Sequence, residues 1–210
     1  MSIDPTRVPV IIGAAQVNDR PHDPFEGLDS LGLMVAASRG ADEDSGGGWL
    51  AHLDSIAVVD QISFPQLGDL SAPLAAALGA TPRLCYKSPY ASGASPVRML
   101  NEAAMRIASG EIETALIAGG EALRTAAQRK AAQGESGGDA MHAASTRGRP
   151  RTAQNYGLVT PTDIYPLYEN ATRAAWGQTL TQAQQESAEI WAAMSRVAAR
   201  TPAAWLQKSL

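Results

Sequence analysis

The sequence predicts an α/β protein whose mostly parallel sheet is covered by helices on both faces. Short apolar runs rich in Val, Ile and Ala alternate along residues 1–123 with longer segments of helical periodicity. The apolar runs lack the polar–apolar alternation of a strand with one solvated face, so both faces of each strand should be buried. Strands that alternate with helices in this order form parallel sheets.

The elements of the first part of the chain can be placed in order. The run VPVIIGAAQV at 8–17 is β-branched and continuous, which is typical of a strand buried on both faces. A polar, Gly-rich loop is expected at 42–48. The predicted elements are a strand at 8–17, a helix at 28–42, a strand at 54–59, a helix at 70–78 and a strand at 83–87.

The helix that follows carries the clearest signals. Ser95 is predicted to cap it, Pro96 lies in its first turn, and Gly110 ends it. Apolar residues recur at helical spacing and should form one buried stripe. The stripe consists of Val97, Leu100, Ala104 and Ile107. A further buried strand is predicted at 114–120, where the sequence reads TALIAGG.

Residues 124–210 have a different character, and we predict a loop and helical region there. Residues 134–160 are rich in Gly, Ser, Thr and Arg, which indicates a long loop. Two helices are expected beyond it, at 163–176 and at 181–200, with Thr181 as the cap of the second. The apolar face of the second helix would comprise Ile190, Met194, Val197 and Ala198.

Composition excludes several classes of function. The net charge of −4 and the pI near 5.4 give no basic surface for nucleic acid. No apolar run approaches the roughly 18 residues that span a bilayer, so no membrane segment is predicted. A single cysteine, Cys85, excludes an internal disulfide and a multi-cysteine metal site. We therefore expect a cytoplasmic protein without a bound metal.

Three stretches together resemble the thiolase superfamily. The first is SPYASGASPVRMLNEAAMRIASGEIETALIAGGEAL at 88–123, which is similar to the nucleophile turn, its helix and the following strand end. The second is the N-terminal strand with its glycine, and the third is the helical segment at 165–205. Their order is that of the sterol-carrier-type thiolases and acetyl-CoA acetyltransferases, in the branch called thiolase-like protein type 1.

The resemblance implies a fold of two similar halves, of which this chain would supply the first half and the loop domain. It implies acyl-CoA thioesters as ligands, with coenzyme A thioester as substrate, no separate cofactor, and a role in lipid metabolism. It also implies a homodimer formed through the strand at 84–88, and a catalytic His and a second Cys on the absent half. A second polypeptide would then complete the site.

The nucleophile turn departs from the family pattern. Thiolases carry C-x-S-G here, whereas this sequence supplies Ser92 and Gly93 but has Tyr90 in the cysteine position. A phenol with a pKa of about 10 is a poorer acyl acceptor than a thiol of about 8.5. Cys85 lies on the preceding strand, and we interpret it as a small buried hydrophobe rather than the nucleophile.

Tyr90 and Ser92 are the candidate catalytic residues, each with a structural alternative. Tyr90 could donate a proton or orient a thioester carbonyl, or it could simply pack its ring. Ser92 would need an adjacent base, and His22, His52 and His142 have no triad context. Ser92 could instead shape the turn while Gly93 permits close packing.

Further residues are candidates for ligand binding. Gly119 and Gly120 end a predicted strand, where they would allow a close approach of backbone or substrate, and Glu121 beside them is interpreted as structural. Arg124 is a candidate for the phosphates of coenzyme A, against the alternative of a solvated helix end. The same choice applies to a set of basic residues, namely Arg129, Lys130, Arg147, Arg149 and Arg151. A further cluster lies at a predicted helix start and comprises Asp163, Tyr165, Tyr168 and Glu169. Asp and Glu near a helix start are expected from the helix dipole alone.

Three functions remain open from the sequence. The chain could belong to an acyl-CoA enzyme that forms no acyl-enzyme at this turn, such as a retro-aldol lyase acting on a β-hydroxyacyl-CoA. It could instead be a non-catalytic acyl-CoA-binding or partner subunit. It could also be a truncated gene product whose sheet is incomplete.

Overall fold

A computed structural model describes residues 5–23, 25–134, 152, 155–202 and 204–209. The chain forms two compact units, residues 1–140 and 141–210, and each is considered by itself. The first unit holds the sheet and most of the candidate residues. Its elements are α1 (Ser30–Asp44), β1 (Ser55–Val58), α2 (Ser71–Leu78), β2 (Leu84–Lys87), α3 (Ser95–Ser109), β3 (Ala115–Ala118) and α4 (Leu123–Ala132).

The α/β fold class is confirmed. β1, β2 and β3 lie within the strands predicted at 54–59, 83–87 and 114–120, although each is shorter than expected. Helices α1, α2 and α3 also lie close to their predicted positions. Helix α4 was not predicted, because its sequence LRTAAQRKAA has no long apolar stripe.

The three strands form one parallel sheet in the order β2-β1-β3. β1 is central, and all four of its residues are buried. Because β2 and β3 lie on opposite sides of β1, two right-handed crossovers place α2 and α3 on opposite faces of the sheet. α1 packs against α2 and therefore shares its face. The main core lies between these elements, with Met34, Ile56, Val58, Leu70 and Leu74 at its centre.

The prediction of a strand at 8–17 is wrong. Residues 8–17 have no regular secondary structure. Their large apolar side chains are exposed rather than buried, at 71% for Val10, 72% for Ile11 and 47% for Ile12. The β-branched composition is that of a buried strand, but no neighbouring strand among the described residues pairs with it.

Helix α3 differs from its prediction at two points. Its N-cap residue is Ala94 and not Ser95, because Ser95 already has helical geometry and its side chain caps nothing. Gly110 ends the helix as predicted, in the left-handed conformation with φ 75°. The buried face comprises Ser95, Met99 and Ala103, so the predicted buried stripe is wrong. Of that stripe, Val97 is 62% and Leu100 41% exposed.

The second unit contains two described helices, α5 (Pro161–Ala175) and α6 (Leu180–Ala198). A capping box of Thr160 and Asp163 starts α5. The cap of α6 is Thr179 rather than Thr181, and its hydroxyl accepts the backbone N–H of Gln182. Three members of the predicted apolar face of α6 are exposed, with Ile190 at 51%, Met194 at 57% and Val197 at 59%.

Two further predictions concern the long loop and the absence of a membrane segment. Most of the loop predicted at 134–160 lies outside the described residues, including His142, Arg147, Arg149 and Arg151. Within the described part of the chain, no helix is long and apolar enough to cross a membrane.

Candidate functional site

Loops that follow all three strands meet at one edge of the sheet. The strands are parallel and in register, with Val58 opposite both Lys87 and Ala118, so their carboxyl ends coincide. The segment with Tyr90 follows β2, and Gly119 follows β3. Ligands of open α/β sheets bind outside the carboxyl ends of the strands. This edge is therefore the candidate functional site.

A small cavity of about 200 Å³ lies beside the turn between β2 and α3, and we call it the turn cavity. It is smaller than the roughly 300–1,000 Å³ of sites that enclose drug-sized ligands. It has room for the reactive end of a ligand but not for a whole coenzyme. Its lining comprises Tyr86, Lys87, Ser88, Pro89, Tyr90, Ser92, Ala94, Ser95, Arg98, Met99 and Glu102.

Two buried serines hold the backbone of Tyr90 in place. The Ser88 hydroxyl donates to the Tyr90 carbonyl oxygen at 3.0 Å and accepts the backbone N–H of Asp60 at 2.9 Å. The Ser95 hydroxyl donates to the same Tyr90 carbonyl at 3.3 Å. Both serines are nearly inaccessible, with 3% and 5% exposure. The turn is therefore fixed by side chains rather than by a helix cap.

Among the described residues, two cations line the turn cavity, and both are paired. The Lys87 ammonium lies 3.1 Å from Asp60, whose side chain is only 12% exposed. Arg98 lies 3.1 Å from Glu102, one helical turn further along α3. An anionic ligand would have to compete with these carboxylates. The charge of the cavity is therefore close to balanced.

The structure brings Tyr90 and Ser92 together in the turn cavity. Tyr90 is 49% exposed, so about half of this residue remains open to solvent. Helix α3 begins only at Ser95, so Tyr90 lies before its first turn, and the helix dipole acts weakly there. The Ser92 hydroxyl accepts the backbone N–H of Ala94 at 3.3 Å, which is a turn-shaping contact. Gly93 borders open space, since a Cβ there would meet nothing within 4 Å.

The candidate glycines after β3 do not line the turn cavity. A Cβ on Gly120 would lie 2.9 Å from the Ser30 carbonyl oxygen and 3.2 Å from the Leu33 Cβ, so this glycine permits close packing on α1. A Cβ on Gly119 would lie 3.3 Å from the Val59 Cβ.

Glu121 bridges the loops after β1 and β3. Its carboxylate accepts the backbone N–H groups of Ile62 at 2.9 Å and of Ser63 at 3.1 Å, and also the Ser63 hydroxyl. These contacts make Glu121 a structural residue in this unit.

The basic residues near α4 contact the backbone of the N-terminal part. Arg124 donates to the Pro21 carbonyl at 3.2 Å, at an exposed position. Arg129 donates to the Gly27 carbonyl at 2.9 Å, and its guanidinium lies 5.7 Å from the centre of the Phe64 ring. Arg129 therefore ties α4 to the preceding chain, and it is not simply solvated.

The side chains of Cys85 and Tyr86 both have raised pKa values. Burial raises the pKa of the Cys85 thiol, and the Asp69 carboxylate adds to the effect. Cys85 packs against the main core, in agreement with its interpretation as a hydrophobe. Burial also raises the pKa of Tyr86, against the opposing charge of Arg106. Within the described residues, no group of three His, Cys, Asp or Glu side chains could hold a metal ion.

Sequence reasoning missed the residues that build the turn. Ser88, Asp60 and Arg98 were not among the candidates, although the first anchors Tyr90 and the other two set the charge of the cavity. One local signal was available. Ser88-Pro89 and Ser95-Pro96 are two Ser-Pro pairs, and Ser-Pro favours the start of a turn.

Comparison with solved structures identifies a similar fold. A monomeric SCP2-thiolase like protein type 1 from Mycobacterium smegmatis superposes with a TM-score of 0.68 and is 25% identical in sequence. The match covers 96% of this chain but only 36% of that protein, so this chain spans about a third of its length. No protein-family model matches the sequence, and no curated protein sequence matches it. The chain thus has a thiolase-like fold and is similar to about a third of this SCP2-thiolase like protein type 1.

Proposed function

We propose that this chain binds acyl-CoA thioesters with the thioester end in the turn cavity, as part of an acetyl-CoA acetyltransferase-like protein of lipid metabolism. The supporting observation is the position of the Tyr90 turn at the carboxyl end of β2, in a fold similar to an SCP2-thiolase-like protein. Tyr90, which is about half exposed, would offer its hydroxyl to the thioester carbonyl. Ser92 shapes the turn, and Gly93 leaves room for the ligand.

The chemistry at this turn would not pass through an acyl-enzyme. Tyr90 stands in the position of the family cysteine, and its phenol is a poor acyl acceptor at neutral pH. Cys85 is a poor substitute, because burial raises its pKa and so reduces the thiolate fraction. Retro-aldol cleavage of a β-hydroxyacyl-CoA is one reaction that needs proton transfer at this position but no covalent adduct.

A non-catalytic acyl-CoA-binding or partner subunit is the second candidate. Two observations favour it: both cations that line the turn cavity among the described residues are paired, and no histidine of the described residues lines the cavity. A cavity of this kind orients a ligand more readily than it moves protons. Catalytic groups would then come from a second polypeptide that supplies the remaining part of the fold.

The rest of the coenzyme would lie outside the turn cavity, which is too small to enclose it. We propose Arg124 as a phosphate contact, because it is exposed and, among the described residues, donates one hydrogen bond of 3.2 Å to a backbone carbonyl. Gly119 would let the ligand approach the backbone at the same sheet edge, whereas the packing of Gly120 on α1 leaves no such room there. We further propose a homodimer through the outer edge of β2, and a cytoplasmic location.

Isothermal titration calorimetry with acetyl-CoA and with coenzyme A tests the proposal. We expect both to bind the intact chain, and Tyr90→Ala to weaken acetyl-CoA binding more than coenzyme A binding. Tyr156→Ala is the matched control, since Tyr156 is 78% exposed in the other unit. If neither acetyl-CoA nor coenzyme A binds, both candidate functions are rejected.

Mass spectrometry of the complex separates a covalent from a non-covalent route. After incubation with acetyl-CoA we expect the peptide that contains Tyr90 and Ser92 to keep its unmodified mass. An acetyl group located on either residue would overturn the non-covalent route while leaving thioester binding intact. Cleavage of a β-hydroxyacyl-CoA into an aldehyde or ketone and a shorter acyl-CoA, whose thioester stays intact, would favour the enzyme over the binding subunit.

A further inference from the structure

The guanidinium of Arg98 has unused hydrogen-bond donors beside the turn cavity. Arg98 lines the cavity from the start of α3, and its Nε donates to the Glu102 carboxylate at 3.1 Å. Its two terminal nitrogens have no hydrogen-bond partner among the described residues. Arginine binds a carboxylate most strongly through two parallel N–H groups of its planar fork. Arg98 therefore has the donors to bind an anionic group of a ligand in the turn cavity.

The two cations of the turn cavity differ in how exposed their ion pairs are. The Lys87 ammonium lies 3.1 Å from the carboxylate of Asp60, whose side chain is 12% exposed. The Arg98–Glu102 pair joins neighbouring turns of one helix, and its side chains are 62% and 40% exposed. Exposed pairs of this kind are weak, because water and salt screen them. A ligand should therefore displace Glu102 from Arg98 more readily than it displaces Asp60 from Lys87.

Glu102 has a second cation within reach along the same helix. Arg106 lies one turn beyond Glu102, and a Glu four residues before a basic residue is the favourable order on a helix. The Arg106 guanidinium pairs with Glu111 at 3.3 Å and lies 5.4 Å from the centre of the Tyr86 ring. Glu102 thus lies between Arg98 and Arg106 on α3. Its carboxylate keeps a neighbouring cation when a ligand takes Arg98.

The Tyr86 hydroxyl is a further partner for a displaced Glu102. Tyr86 and Glu102 both line the turn cavity, and the Tyr86 hydroxyl is buried with no hydrogen-bond partner among the described residues. Burial raises the pKa of Tyr86, the charge of Arg106 opposes this, and the Glu102 carboxylate raises the pKa further. The hydroxyl therefore stays protonated at neutral pH and can donate to a carboxylate. A buried donor without an acceptor destabilises the fold, so a contact with Glu102 would be favourable.

We propose that Arg98 gives the turn cavity a preference for short acyl groups that end in a carboxylate. The ligand carboxylate would bind the two terminal N–H groups of Arg98 in place of Glu102, and the substrate class would be coenzyme A thioesters of dicarboxylic acids. Met99 and Pro89 also line the cavity and offer apolar contacts to the carbon atoms between the thioester and the carboxylate. This inference rests on the proposed binding of acyl-CoA at the Tyr90 turn, and it specifies the acyl group.

Isothermal titration calorimetry with matched thioesters tests the preference. Malonyl-CoA is compared with 3-methylbutanoyl-CoA, and succinyl-CoA with 4-methylpentanoyl-CoA. Each neutral compound has the same heavy-atom skeleton, with methyl groups in place of the carboxylate oxygens. We expect at least one dicarboxylic thioester to bind about tenfold or more tightly than its neutral counterpart, because a bidentate pair of opposite charges is a strong contact. Equal affinities within both pairs would overturn the proposal, while leaving acyl-CoA binding itself intact.

Variants of Arg98 show whether this residue carries the preference. Arg98→Gln should remove it, and Arg98→Lys should keep only part of it, because Lys has the charge without the paired N–H groups. Arg39→Gln is the matched control, since Arg39 is an exposed arginine of α1 that does not line the cavity. If Arg98→Gln weakens the neutral thioesters as much as the dicarboxylic ones, Arg98 binds the coenzyme and the proposal is wrong. Urea unfolding checks that each variant is folded.

Glu102→Gln gives a result of opposite sign. The substitution removes the competing carboxylate, so it should tighten binding of the preferred dicarboxylic thioester by about two- to fivefold, the range that exposed ion pairs contribute. The affinity of the neutral counterpart should stay the same. Unchanged or weaker binding of the dicarboxylic thioester would contradict the displacement of Glu102. If no thioester of either kind binds the original protein, the proposed function fails together with this inference.

Discussion

The Glu121 carboxylate accepts hydrogen bonds from both the backbone N–H and the hydroxyl of Ser63. The same Ser63 hydroxyl accepts the backbone N–H of Ala122 at 2.8 Å. Ser63 in the loop after β1 is therefore hydrogen-bonded to two consecutive residues, Glu121 and Ala122, in the loop after β3. This link fixes the sheet edge at which the turn cavity lies. The Glu121 carboxylate therefore has a structural role, and ligand binding is left to other residues.

Replacement of Glu121 by Ala should destabilise the first unit. The backbone N–H groups of Ile62 and Ser63 would lose their acceptor, at a cost of about 1–3 kcal/mol in the free energy of unfolding. Glu113→Ala is the matched control, since its exposed side chain takes no part in this link. Urea unfolding of the two variants measures the difference, and equal midpoints would contradict the structural role of Glu121.

Ser88→Ala and Ser92→Ala should differ in their effects on stability. Ser88 is 3% exposed and makes two hydrogen bonds through its hydroxyl, so its loss should cost about 1–3 kcal/mol. The Ser92 hydroxyl makes one long contact of 3.3 Å at a more accessible position, and its loss should change stability by less than about 0.5 kcal/mol. Denaturant titration of both variants checks the order. A larger effect for Ser92 would be inconsistent with Ser88 as the anchor of the turn.

Gly120→Ala should destabilise the unit, whereas Gly93→Ala should not. An added methyl on Gly120 would lie 2.9 Å from the Ser30 carbonyl oxygen, and overpacking of this kind costs about 1–3 kcal/mol. The same methyl on Gly93 meets nothing within 4 Å. Thermal unfolding compares the two. Because Gly93→Ala should keep its stability, any loss of acetyl-CoA affinity in that variant would report on the ligand site directly.

Asp54 should contribute stability at neutral pH that disappears in acid. The backbone N–H groups of Glu113 and Thr114 hold its pKa below the ordinary value, with a further contribution from Arg83. A lowered folded-state pKa gives stability that is fully present above the unfolded pKa of about 3.9 and is lost as the pH falls through the folded pKa.

We expect Asp54→Asn to lose about 1 kcal/mol at pH 7, a value reduced by the 28% exposure of the side chain. The difference from the original protein should shrink below about pH 4. Urea unfolding of both proteins across this range measures it. A difference that stays constant with pH would exclude the carboxylate as its cause.

The sequence predicted the sheet better than the boundaries of its helices. The strands containing Ile56, Cys85 and Leu116 were recognised because each is a short continuous apolar run with Gly, Pro or charge at its ends. Caps were harder to predict. Ser95 and Thr181 satisfy the composition rule for an N-cap, but each already lies within its helix, and the N-cap positions are Ala94 and Thr179.

The site could be predicted only in part. Tyr90 and Ser92 were found through the turn, and the structure places both in the turn cavity. Lys87 and Arg98 could not be identified, because their pairing with Asp60 and Glu102 is set by how α3 lies against the sheet edge. The exposure of the run at 8–17 could not be predicted either. A local pattern reports which side chains suit a buried strand, and it does not report whether the neighbouring strand is present.

The central proposal is that acyl-CoA binds at the Tyr90 turn, and amide hydrogen exchange of residues 87–100 with and without acetyl-CoA tests it most directly. The backbone there is held by Ser88 and Ser95, so a ligand in the turn cavity should reduce its opening further. We predict slower exchange in 87–100 on addition of acetyl-CoA, and no such change in 163–175 of the other unit. Unchanged exchange in 87–100 at concentrations where acetyl-CoA is bound would contradict the proposal.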